Sequence, residues 1–293
     1  MGKITEYSQV SSLLGADVFL KDGTAGTKII SANNLMSGLL GLMSSDDLFA
    51  RLDEIASPEL HRMLYRGKYL GTSLTTAQKN QISAGTFHGL WLGDYWTISG
   101  VNYQIVDFDY WYNCGDTSFT SHHIVVMPMA VMYNAQMNTT NTTDGGYYGS
   151  AMRGGANYPS GGNLAQAYTA FSAAFGTALL THREYIDNAV TNGEASGGAW
   201  FDSTVDLPNE IMIYGSHIFK PADDGTTVVN RYTISNSQLA LMQARPRAIK
   251  IRANYWLRDE VSASHFAYVG GYGHAYYNDA SASRGVRPVA AVG

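Results

Sequence analysis

Cysteine is almost absent from this chain. Cys114 is the only one in 293 residues, so no internal disulfide can form. Charge is scarce too, at 15% of residues where about a quarter is usual. Lys and Arg (19) do not outnumber Asp and Glu (24), and the net charge of -5 leaves no cationic footprint for nucleic acid or an anionic membrane. No uninterrupted apolar run approaches the roughly 18 residues of a membrane helix, and the opening MGKITEYSQV lacks the apolar stretch of a secretory signal. The expectations are folding in a cytoplasm, no membrane insertion and no nucleic-acid partner.

What is present is 45% hydrophobic residues, 31 Gly and 20 Tyr, the composition of a globular, loop-rich protein containing β-structure and long enough for one large domain and a smaller one. Three regions separate by pattern. Residues 1–43 alternate around Val18 and Leu20, turn at Asp22-Gly23, resume at Lys28, and continue into a short helix after Ser31. Residues 44–81 turn helical: Ser44 or Ser45 can cap a first helix, Pro58 breaks it or opens a second, and Thr75 to Gln78 opens a third. That segment reads as a linker suited to self-association. Residues 82–293 read as one domain, with strands over 87–97, 103–112, 124–132, 210–219, 250–257 and 285–292 and helices over 164–180 and 181–189. Helices early and strands throughout argue for an α+β class.

The last forty residues are the most informative. YWLRD at 255–259 and GVRP at 285–288 frame VSASHFAYVGGYGHAYYNDASASR, built almost wholly of Tyr, His, Ser, Gly, Asn, Asp and Ala. Tyr gives a large rigid contact with few torsions to freeze, and Ser, Gly and Asn give adaptable hydrogen bonding, so this is the composition of a recognition surface. Lys, Gln, Glu, Met and Trp supply 38 of the 293 residues, yet none falls in residues 262–284, where about three are expected by frequency. These are the five types that codons ending in a pyrimidine cannot encode, the codons left when adenines of Asn-type codons are mutated.

Five segments, in order, carry a family likeness: LGDYWTISGVNYQIVDFDYWYNCGDTSFTSHHIVVMP (92–128), NAQMNTTNTTDGGYYGSAM (134–152), LLTHREYI (179–186), WFDSTVDLPNEIMIYGSHIF (200–219), and YWLRDEVSASHFAYV with its terminal GVRP. In combination they resemble the C-type lectin fold domains of phage receptor-binding proteins, of which the major tropism determinant family is the best known, and in particular a prophage-associated branch of that fold. The likeness covers about two thirds of the chain. It implies a virion protein, a homotrimer, whose segment between the WLR strand and GVRP binds a bacterial surface receptor, protein or glycan. In some members that segment is diversified by a retroelement that mutates adenines. The implied contact residues are Ser264, His265, Tyr268, Gly270, Gly271, Tyr272, His274, Tyr276, Tyr277, Asn278, Asp279 and Arg284, with Phe266, Ala267, Val269, Ala275, Val286 and Pro288 as frame. Residues 4–35 resemble N-terminal modules of phage virion proteins and imply docking onto other virion proteins. A decoration protein that covers or cements the particle is the alternative.

Catalytic and metal chemistry find little support. The formylglycine-generating oxidases resemble the same fold but need two active-site cysteines and a metal, and this chain offers Cys114 alone. His122 and His123 in a strand would point to opposite faces and share no ion. Asp107 and Asp109 could share a face, but no calcium-loop pattern follows. His182, Arg183 and Glu184 in a helix would not converge. Asp223-Asp224-Gly225 reads as a turn. Arg258 and Arg287 read as buried forks holding loop backbone, and Trp91, Trp96, Trp111, Trp200 and Trp256 as core. The expectation is a protein with no cofactor, no metal and no catalytic residues.

Overall fold

The computed structural model describes residues 17–22, 26–31, 44–221 and 237–293. Met1–Ile55 form one compact unit and Ala56–Gly293 a second. In the first unit, β1 (Asp17–Asp22) and β2 (Gly26–Ser31) pair antiparallel from Asp17↔Ser31 to Asp22↔Gly26, the hairpin that Asp22-Gly23 announces. Helix α1 (Ser45–Asp53) opens on a capping box: Ser44 Oγ accepts the Asp47 N–H at 3.1 Å, and Asp47 accepts the Ser44 N–H at 3.3 Å. The short helix expected after Ser31 and the turn expected at Asp223 to Gly225 lie outside the described residues.

In the second unit, α2 (Pro58–Met63) starts at the proline and α3 (Thr76–Ser83) at a Thr75/Gln78 capping box. These helices depart from the expected linker over 44–81, because residues from Ala56 on belong to the large unit. Arg62 donates to Asp107 at 2.6 Å and Arg66 to Asp94 at 3.0 Å, and those carboxylates stand 45 and 28 positions later in the chain. Burial pushes both aspartate carboxyls up, and the guanidiniums oppose it.

There follow β3 (Tyr95–Ile98), β4 (Val101–Phe108), β5 (Ile124–Pro128), β6 (Tyr133–Gln136), α4 (Gly146–Gly149), α5 (Ala165–Phe175), β7 (Leu179–Leu180), β8 (His182–Ile186), β9 (Val190–Thr191), β10 (Glu194–Ala195), β11 (Ala199–Ser203), α6 (Glu210–Tyr214), α7 (Ala240–Ala244), β12 (Tyr255–Ser262), β13 (His265–Val269), β14 (Ala275–Asp279), β15 (Ser283–Val286) and β16 (Ala290–Val292). Two five-stranded sheets dominate, in orders β3-β4-β5-β16-β7 and β14-β13-β12-β15-β6. The class is α+β, mostly sheet with few helices, and no sheet of the described residues closes into a barrel. Helix α5 buries Ala167, Phe171 and Phe175, one face at helical spacing, and Tyr103 of β4 meets Phe171 and Phe175 edge-on at 4.9 and 5.1 Å.

Several expected elements change type. The helix over 181–189 is instead β8, paired with β11 from Ala199↔Ile186 to Ser203↔His182. His182, Glu184 and Ile186 point inward on alternate residues, the period of a strand, and the Thr181/Glu184 spacing that suggests a capping box is coincidental. The strand over 210–219 is instead α6 and a following turn. Glu210 to Ile213 are all buried, so the run carries no period that separates helix from strand. Its own punctuation was readable: Asn209 Oδ1 accepts the Met212 N–H at 2.8 Å, and Gly215 ends the helix at φ +83°. The helix expected to reach residue 180 stops at Phe175, where Gly176 turns the chain. The single strand expected over 285–292 is divided between the two sheets as β15 and β16.

The turn of β8 into a strand brings together a buried polar cluster. One oxygen of Glu184 accepts the Trp111 indole N–H at 2.7 Å and lies 3.4 Å from His182 Nε2; the other accepts from Arg258 Nη2 at 2.8 Å. Burial alone would raise this carboxyl, but the charge of Arg258, with His182, holds it down to about 2. Arg258 therefore does not hold loop backbone, as its position in the sequence suggested. Arg287 does hold backbone, donating to the Pro128 carbonyl at 2.8 Å and the Ala248 carbonyl at 3.3 Å, with its guanidinium over the Tyr255 ring.

Phe171→Ala should cost about 3–5 kcal/mol in urea unfolding, because it leaves a cavity against Tyr103. Glu184→Gln leaves Arg258 buried without its counter-charge and should cost a similar ~3–5 kcal/mol at pH 7. Because the Glu184 pKa is lowered on folding, its ionic contribution is complete above the ordinary 4.5 and disappears as pH falls toward 2. Unfolding measured at pH 7, 4.5 and 3 should show the gap between wild type and Glu184→Gln narrowing only below 4.5.

Candidate ligand-binding surface

The framed segment folds as the outer hairpin of the second sheet. Strand β12 is buried over its first six residues, and its side chains leave little room for motion. A tight turn at Ala263-Ser264 leads to β13, and a longer one at residues 270–274 leads to β14, in register from His265↔Asp279 to Val269↔Ala275. Among the described residues, strand β14 ends the sheet order and is an edge. Within the 270–274 turn, Gly270 N–H donates to the His274 carbonyl at 2.8 Å, Gly273 N–H to the Gly270 carbonyl at 2.7 Å, and Gly273 sits at φ +88°, a conformation that favours glycine.

Exposure sorts the twelve implied contact residues. Tyr272 is 82% exposed, Tyr276 51% and Tyr277 38%, and His274 is exposed beside them. The Tyr276 and Tyr277 rings stack at 5.3 Å, and His274 approaches Tyr276 at 6.2 Å, so the three make one aromatic group at the sheet edge. Lys250 Nζ lies 5.7 Å from the centre of the Tyr272 ring. Ser264, His265, Asn278 and Asp279 are half-buried at the other end, where His265 Nδ1 meets Ser262 Oγ at 2.8 Å and Nε2 lies 3.1 Å from Asp279 Oδ1.

The remaining four of the twelve are buried or half-buried against neighbouring groups. Tyr268 is only 9% exposed, held between Trp256, Tyr276 and the Arg284 guanidinium 5.3 Å from its ring. Gly270 is buried, with space over its Cα filled by the His274 imidazole, and Gly271 is half-buried, its N–H given to Asn254 Oδ1 at 2.7 Å. Arg284 is half-buried along Tyr268, and its Nε is buried with no hydrogen-bond partner. Of the frame, Phe266, Ala267, Val269 and Val286 are fully buried and Pro288 buried, while Ala275 is half-buried at the edge.

The loop ends are held by residues that sequence reasoning passed over. The Asn138 N–H donates to the Ala280 carbonyl at 2.9 Å, the Thr143 N–H to the Ala263 carbonyl at 2.9 Å and its hydroxyl to the Ser262 carbonyl at 2.8 Å; Asn141 Oδ1 accepts the Ser281 N–H at 3.1 Å. The Asn-Thr-Thr repeat at 138–143 thus works as a buttress, and its density of short side-chain acceptors was the signal. Tyr214 of α6 reaches the Gly273 carbonyl at 3.3 Å, and Phe219 meets Tyr277 edge-on at 5.2 Å.

Elsewhere, His122 and His123 precede β5 rather than lie in it, and both meet Asp109: His122 Nδ1 at 2.7 Å and the His123 N–H at 2.9 Å. Burial lowers His123 to about 3, so its ring is neutral. Asp107 and Asp109 do not share a site, since Asp107 faces Arg62. Cys114 is half-buried, and burial, then the Glu184 charge, raise its thiol, an unreactive setting. Trp91, Trp96, Trp111 and Trp256 are core, and Trp200 is half-buried. Among the described residues one group is spaced for a cation, Glu210, His217 and Asp259, and it includes none of the twelve. Comparison with family models, curated proteins and solved structures returns no match.

This sorting is checked by stability. Tyr268→Ala should cost about 2–4 kcal/mol, as for a buried aromatic, whereas Tyr272→Ala should stay within roughly 0.5 kcal/mol. Equal losses in urea unfolding would contradict it.

Proposed function

We propose that this chain is a phage virion protein that binds a bacterial surface ligand, protein or glycan, through the β13–β14 hairpin, and that its large unit is a C-type lectin fold. One observation carries the reading: Tyr276 and Tyr277 stand exposed and stacked on the edge strand β14, with Tyr272 exposed in the turn before it, on a hairpin whose other strand, β13, is buried from Phe266 to Val269. Exposed grouped aromatics are costly to display to water without a partner, and a rigid base lowers the entropy lost on binding. Residues with few packing obligations can be exchanged without unfolding the frame, which suits a surface that changes as hosts change. The family resemblance supplies the host-attachment context, the N-terminal unit the virion contact, and the trimer the avidity that weak single contacts require.

A decoration role remains the second reading, favoured by one feature. An edge strand offers unpaired main-chain groups that a neighbouring virion subunit can cover by strand addition.

The purified chain should adhere to intact cells of some members of a bacterial panel. The triple substitution of Tyr272, Tyr276 and Tyr277 by Ser should lower that adhesion at least about tenfold, the loss of ~1.4 kcal/mol, without moving the thermal midpoint. Adhesion unaffected by the triple variant would overturn the hairpin as the contact surface. Absence of adhesion to any cell, together with binding to assembled particles, would favour the decoration role.

A further inference from the structure

Asp259 on β12, Glu210 at the start of α6 and His217 in the turn after it come from three places in the chain and converge. The Glu210 side chain is fully buried, that of Asp259 nearly so, and that of His217 is 40% exposed, so the group is closed on the protein side and open on one. Each carboxylate is already aimed. Asp259 Oδ2 accepts the Glu210 N–H at 2.6 Å, leaving Oδ1 turned to the imidazole. Glu210 Oε2 accepts the N–H groups of Ile218, Phe219 and Lys220 at 2.8, 3.1 and 3.2 Å, which leaves Oε1, with one N–H donor at 3.1 Å, as the oxygen with the freer lone pair. Such second contacts are what orient the ligands of metal sites.

The spacing is informative. His217 Nδ1 lies 3.6 Å from Asp259 Oδ1 and 4.0 Å from Glu210 Oε2, and the three ligand atoms fall within 4.8 Å of one another. Those separations exceed a hydrogen bond. The His217–Asp259 separation is about 0.2 Å, and the His217–Glu210 separation about 0.6 Å, above the roughly 3.4 Å edge of a tetrahedron whose centre lies about 2.1 Å from each N or O ligand, so small side-chain shifts would close the group on an ion. Charge points the same way: the carboxylates of Glu210 and Asp259 are buried side by side. Lys220, paired with Asp187, offsets part of this charge.

We propose that Glu210, Asp259 and His217 form a site for one divalent first-row transition cation of the zinc class, with a fourth position open to solvent. One imidazole with two carboxylates favours such an ion over magnesium or calcium, which take oxygen ligands alone. Bound there, the ion ties the 215–220 turn to β12. That turn carries Phe219, whose ring supports Tyr277, so loading the site stiffens one end of the tyrosine group. This last consequence rests on the binding role proposed above, and the metal site does not.

The test uses the full chain, stripped with a chelator and titrated with zinc chloride by calorimetry, with thermal unfolding in parallel. One equivalent should bind and raise the unfolding midpoint. His217→Ala, at an exposed position, should weaken zinc binding at least about tenfold while the chain stays folded, and Asp259→Asn should do the same. His88→Ala, at an exposed histidine outside the group, should leave it unchanged. No stoichiometric zinc binding, binding undiminished in His217→Ala, or binding of calcium in preference to zinc would each overturn the site. Loss of zinc binding with cell adhesion intact would sink only the stiffening of Tyr277.

Discussion

The large unit depends on one buried pair, Glu184 and Arg258. An ionised carboxylate and a guanidinium taken out of water are costly unless each finds its full set of partners, and here Trp111, His182 and Arg258 share the two carboxylate oxygens between them. The three segments that supply those groups are the connection after β4, strand β8 and strand β12. None can move away without taking a hydrogen-bond or charge partner from the buried Glu184 carboxylate. Strand β12 is fixed this way from below, and β13 and β14 are hung on it by main-chain pairing.

A fixed base explains why the hairpin can display tyrosines. Tyr268 and Tyr276 face each other across the β13–β14 pair, yet one is nearly buried and the other half exposed, because Trp256 and Arg284 cover the inner ring and, among the described residues, no strand pairs with β14 on its far side. The turns at each end are closed by groups from the 138–143 segment and by Tyr214, so surface residues are not asked to hold the loop themselves. Frame and surface are in this sense separate sets of residues, and Tyr268, Gly270 and Arg284 fall nearer the frame than the family resemblance implied.

Much of the local architecture was legible. The Asp22-Gly23 hairpin, the Ser44 and Thr75 caps and the start at Pro58 each follow from short-range chemistry, and each stands where the residues place it. The errors share a cause. In α6 the side chains are nearly all buried, so no helical face survives as a signal, while in β8 the buried positions do alternate but two of them are the polar His182 and Glu184, whose burial is set by what packs against them. Residues 285–292 read as one strand although Pro288 in their middle is a local break signal; that the two halves join different sheets is decided by tertiary packing.

The sequence by itself determined the absence of disulfides, the α+β class, the caps and turns, and the segment that would carry the exposed tyrosines, since these follow from composition and from neighbours within a few positions. The tertiary structure decided which of those tyrosines face water, that Glu184 meets Arg258, that Asn138 and Thr143 hold the loop ends, and that Glu210, His217 and Asp259 come together. Each of these is a contact between residues far apart in the chain, many of them separated by tens of residues or more, and burial and pairing at that range leave no mark in local spacing.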